Sequence, residues 1–150
     1  MSALILLHAL AAIVWVGGMF FAYIVLRQAA WPLEPAARLA FWRRVFARFF
    51  PWVWASVVVL LATGIIMIVI GFGGFAVVGV YISTMMAIGI VMMLLFGHLY
   101  FAPWRRFQRA LDGNNALDAA RNLDQIRRIV AINLTLGLVT AAIGASGRYW

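Results

Sequence analysis

His8 and His98 are the two side chains within long apolar runs of this chain that titrate near neutral pH, so coordination or proton chemistry has to start from them. Neutral imidazole suits haem iron, copper and zinc. Met67, Met85 and Met86 also stand in apolar runs, and a histidine with nearby thioethers makes a soft site suited to Cu(I) or to His–Met haem ligation. Trp15 follows His8 by seven residues, with Gly17 and Gly18 just beyond. Two helical turns place His8 and Trp15 on one face, and the glycines let another backbone or a flat ligand come close. Asn133, Gly137, Thr140 and Gly144 recur at three- and four-residue steps as a small, polar stripe. Close helix packing with interhelical hydrogen bonds is its commonest use, and a ligand-facing wall the sharper alternative. Arg148 could pair with a haem propionate or a lipid phosphate. No carboxylate falls inside an apolar run, and no GxSxG, HExxH or P-loop pattern occurs. Any catalysis would therefore be redox chemistry borne by a cofactor.

The elements that must position these residues are membrane spans. The chain has 150 residues, is 67% hydrophobic and has a mean hydropathy of +1.02, well above the about 45–50% apolar content of soluble domains. Leu4 to Leu26 carries no formal charge, and its only near-neutral titrating group is His8. An apolar run of about 20 residues crosses the bilayer core as one helix. An imidazole inside it is costly enough to count as a functional hypothesis. The composition predicts an all-α membrane protein, a four-helix bundle in one domain, with spans at about 3–26, 51–71, 76–102 and 129–147. Pro51 suits a first helical turn, where its missing N–H costs nothing, and Pro103 ends the third span. Period-two alternation is missing, which argues against a β-barrel. The first span is too long for a signal peptide and lacks a basic leader, so it reads as mature.

All 12 basic residues are arginines, and the net charge is +8. In a soluble protein such a balance would suggest nucleic acid. Here the arginines flank apolar runs and set topology or meet anionic headgroups. They crowd the link between the first and second spans and the link between the third and fourth, so both links are expected in the cytoplasm and both termini outside. In the first link, Leu39, Trp42, Val45, Phe46 and Phe49 lie at helical spacing opposite Arg44 and Arg48. This predicts an amphipathic helix, at the headgroup level or running into the second span, with membrane anchoring as its use and partner docking as the alternative. The second link reads as a helical hairpin turning at Asp112-Gly113-Asn114-Asn115, with Asn115 as N-cap and Asp118 in the first turn. Cysteine is absent, which excludes disulfides, thiolate metal sites and CxxCH haem attachment.

On this topology His8 lies near the outer end of its span and His98 near the inner end of the third, about 15–20 Å apart in depth. One haem gripped by both is therefore not expected. Met67 should lie close to His8 in depth, with Met85 and Met86 not far from that layer. Asn133 should neighbour His98, with Tyr23, Trp54 and Ser56 at similar height. FGGF and the glycine stripes leave room for contacts between protomers, so a homo-oligomer is compatible with the sequence.

The runs LHALAAIVWVGGMFFAYIVLR, RFFPWVWASVVVLLATGIIMI, GHLYFAPWRRF and QIRRIVAINLTLGLV together resemble the small four-span proteins of the CopD (copper resistance D) family. The resemblance implies a bacterial inner-membrane protein concerned with copper uptake or tolerance, and it makes His8 the leading ligand candidate. The His-then-Trp-Gly motif is also similar to HemJ-type protoporphyrinogen oxidases, which bind haem b. Two departures set the chain apart from them. It reads YIVLRQAAW where they carry Leu-Pro-Arg-Leu-Phe, and it contains no lysine. The resemblances thus leave copper and haem b both open and do not extend to that oxidase activity.

Overall fold

The computed structural model describes residues 1–75 and 77–147, so Arg148 lies outside the described residues. Every regular element among the described residues is helical. Four helices are long and apolar enough to cross a membrane: α1 (Ser2–Ala29), α2 (Pro35–Gly71), α3 (Val80–Asp112) and α4 (Ala116–Ser146). Helix α1 pairs with α2 and α3 with α4, while α4 also reaches α1 and α2. The protein is an all-α membrane protein built on four spans, as its hydropathy predicts. Large apolar side chains such as Ile5, Ile13, Leu94 and Ile132 remain exposed on its outside, which is how a surface solvated by lipid tails should look.

The helix ends differ from expectation. Neither proline ends a helix. Pro51 sits inside α2, an uninterrupted α-helix from Pro35 to Ile66. Its missing N–H leaves the carbonyl of Ala47 without its usual partner, and the helix carries on because both flanks are anchored by packing. Pro103 lies in a wide, π-helical turn at Tyr100–Trp104, after which α3 continues to Asp112. Similar wide turns interrupt α1 at Ile13–Gly17 and Phe21–Leu26 and close α2 at Met67–Gly71. At 1.5 Å per residue, α2 is about 55 Å long against about 30 Å of hydrocarbon. It therefore projects well past the bilayer at the arginine-bearing end.

That projection explains a second correction. The apolar face of the first link is not turned to the membrane. Leu39, Trp42, Phe46 and Phe50 are buried in the protein's own core beside Trp104, Phe107, Leu123 and Ile126. Arg44 and Arg48 remain exposed on the opposite side. Phe46 stacks on Phe50 with centroids 5.1 Å apart, and Trp104 meets both rings edge-on at 6.0 and 5.2 Å, geometries that aromatic quadrupoles favour. The hairpin forms as predicted. Asn114 takes the left-handed conformation (φ 52°), and Asn115 caps α4 by accepting from the Asp118 N–H at 3.1 Å. Arg43 and Asp112 tie α2 to α3 at 2.7 Å. Both are substantially exposed, so the pair adds little stability.

The small stripe on α4 is a packing surface. Gly137 receives Val16 of α1 and Met92 of α3, and Gly144 receives the Met85 methyl. Asn133, buried, donates from Nδ2 to the Met92 carbonyl at 3.1 Å. The helices close over Gly137 and Gly144 because no Cβ stands in the way.

Candidate metal centre at the contact of α1 and α2

His8 is half-buried where α1 crosses α2. Its Nδ1 stands 2.7 Å from Thr63 Oγ1, and its Cε1 would lie 3.5 Å from a Cβ placed on Gly64. Thr63 is itself buried, and its hydroxyl donates to the Val59 carbonyl, one turn back, at 2.6 Å. A hydroxyl has one hydrogen to give. With that hydrogen on Val59, the imidazole must donate through Nδ1–H and Thr63 accepts. In the neutral ring, a proton on Nδ1 leaves Nε2 with its lone pair. A neutral ring held by one nitrogen with the other free is the state in which histidine binds a metal.

Met67 is half-buried one helical turn beyond Thr63, on the same face of α2. Further out along this contact the Met1 methyl fills the space over Gly71. The sequence reading did not include Thr63 or Met1 in the site. Thr63 was within reach, since it is a polar residue at the depth of His8, but the rotational register of α2 against α1 was needed to see it. Met1 gave no signal beyond its residue type.

The remaining candidates are placed elsewhere. Met85 stands against Gly144 of α4, and Met86 is exposed. His98 is exposed on α3, and Asn133 is engaged with Met92. Trp15 is 2% exposed and meets Phe96 edge-on at 6.1 Å, as part of the core. The approach that Gly18 permits is made by the Phe49 ring of α2, which a Cβ there would strike. The flat group seated at Gly18 is thus the protein's own phenyl ring, while Gly17 faces open space. Trp54 packs among Phe96, Tyr100 and Phe101. Among the described residues no three of His, Cys, Asp and Glu cluster as a metal site. The polar group observed at His8 is the Thr63 hydroxyl.

Four long apolar helices, with a half-buried imidazole hydrogen-bonded between the first two, define a polytopic membrane protein. The family model described as copper resistance protein D (CopD) matches residues 43–146, and the chain belongs to the CopD family. That places it among copper-resistance-related membrane proteins. The matched segment runs from α2 through α4 and leaves out α1, where His8 lies. No curated protein matches the chain, and no solved structure does.

Proposed function

We propose that this protein binds copper, as Cu(I), between α1 and α2 and serves in copper handling at the inner membrane of a bacterium. The single observation that carries the reading is the Thr63 hydrogen bond, which commits Nδ1 of His8 and leaves Nε2 to act as ligand. Met67 lies one turn beyond Thr63 on the same face of α2, and membership of the CopD family supports copper as the metal. Haem b is the alternative. A ring held through Nδ1 offers Nε2 to iron as well as to copper, and it is family membership that favours copper. By the positive-inside rule the arginine-bearing end faces the cytoplasm, which puts His8 toward the outer face and both termini outside.

Competition of the detergent-purified protein with a Cu(I) chelator tests the site. Thr63→Val removes the partner of Nδ1 and is expected to weaken retention about tenfold, the usual effect of losing a group that orients a ligand. His8→Ala is expected to weaken it further. Equal Cu(I) retention by His8→Ala and wild type would overturn the proposal. A Soret band with sharp α bands on reduction would move the reading to haem. Orientation is read separately, because the chain has no cysteine of its own. A single cysteine at the exposed Gly113 is expected to resist a membrane-impermeant thiol reagent in intact spheroplasts, and one at the exposed Gly73 to react.

A further inference from the structure

Helix α3 keeps one face that the rest of the chain does not cover, and it is the least covered of the four spans. In its regular part, Val80–Leu99, the residues Val80, Thr84, Ala87, Val91, Leu94 and His98 follow one another at alternating steps of four and three. That alternation lays them on one stripe of the helix, and it is the repeat by which two spans pack at a shallow left-handed angle. All but the partly covered Thr84 are exposed, Leu94 at 69%. The Thr84 hydroxyl is spent on the Val80 carbonyl, one turn back, at 2.9 Å, so the stripe presents apolar surface as far as Leu94.

His98 breaks that surface. Its imidazole is exposed, and among the described residues nothing hydrogen-bonds to the ring. Its neighbours on the outside of the helix are Leu94 and Phe101, both exposed. Arg105, the first charge beyond it, stands about 10 Å further along the axis. An ionisable side chain within a span almost always turns to a partner or to a water-filled cavity, because lipid tails offer its nitrogens nothing. His8 conforms by meeting Thr63. The partner of His98 has to come from outside this chain.

We propose that this stripe packs in parallel on the α3 stripe of a second copy, with His98 against His98 across a twofold axis along the membrane normal. The chemistry selects that occupant. Copies inserted the same way carry the same stripe at the same depth, so the contact matches each residue with itself. A neutral imidazole donates through one nitrogen and accepts through the other. Two such rings therefore satisfy each other by one N–H to one lone pair, which a lipid tail cannot do. A polar residue at one position of an apolar seam also fixes its register. The contact is remote in sequence from His8 and Thr63 and does not depend on the copper reading.

Energy transfer between copies of the full chain labelled at Gly113→Cys, reconstituted in liposomes over a range of protein-to-lipid ratios, tests this. Wild-type side chains at the stripe should give a dimer. His98→Leu is expected to raise the ratio at half-association about tenfold, the scale of a polar contact between simple membrane-spanning peptides. His98→Asn, which keeps a donor and an acceptor, should associate nearly as wild type does. Position is read by iodine oxidation of single-cysteine variants in the same liposomes. Leu94→Cys, on the stripe, should form a disulfide-linked dimer, and Ile132→Cys, exposed on α4, should not. Cross-linking from Leu94→Cys no stronger than from Ile132→Cys, or equal association of His98→Leu and wild type, would overturn the proposal. A monomer at every ratio would overturn it too and leave the face to lipid or to a different membrane protein.

Discussion

Phe107→Ala is expected to destabilise the protein by about 3–5 kcal/mol, read as a lowered unfolding transition of the detergent-purified chain by circular dichroism. Phe107 is 0% exposed and stacks against Trp104 at 5.8 Å. It follows Arg105 and Arg106, beyond the apolar part of α3, so the solvent competing for its ring is water rather than lipid. Its burial therefore carries the full hydrophobic term as well as the cavity left by truncation. An equal truncation deep in the spans forfeits packing alone, because lipid tails are as apolar as the side chain removed. A loss below about 1 kcal/mol would mean that the projecting ends of α2, α3 and α4 do not share a common core.

Gly137→Leu should be strongly damaging, with a cost at or beyond the upper end of the about 1–3 kcal/mol usual for overpacking. A Cβ at Gly137 would stand 2.8 Å from Val16 Cγ2 and 3.1 Å from Met92 Cε. The methionine end is flexible and can yield. Val16 is β-branched and stiff at χ1, so relief must come from moving α1 away from α4. Gly97→Ala on α3 provides the control. Nothing lies within 4 Å of a Cβ there, so helix propensity makes it neutral or slightly stabilising. Melting of the two variants in the same detergent checks the contrast, and equal melting temperatures would mean that α4 does not pack on α1 as described.

The spans were legible from the sequence because a bilayer imposes one requirement, a long apolar run, that hydropathy reports directly. The Asn115 cap was legible because it is local. Pro51 and Pro103 were misread as helix ends because what carries the chain through them is distant in sequence: Trp42 and Phe46 against Trp104, Phe107 and Ile126. The apolar face of the first link was assigned to the membrane for a related reason. An apolar stripe carries the same pattern whether lipid or protein covers it, and only the arrival of α3 and α4 decides. His98 shows the limit from the other side. The helix around it is apolar on all faces, so nothing in the sequence tells which face turns inward. His8 stood out by its charge-free surroundings, but its partner Thr63 required knowing how α1 and α2 are rotated against each other.

The wide turn at Ile13–Gly17 gives α1 a reserve of length that α4 lacks. A π-helical turn holds one residue more than an ordinary one, and here Ile13 and Val14 look out to lipid. Loss of one of them is absorbed by tightening that turn to regular pitch, so that His8 before it and the buried Met19 after it keep their bearings. Helix α4 is regular from Ala116 to Ser146, so a single residue lost between Asn133 and Gly144 swings one part of its glycine seam by about 100° relative to the other. Helix α1 thus tolerates a change of length, while the helix that seats its neighbours is held to strict count.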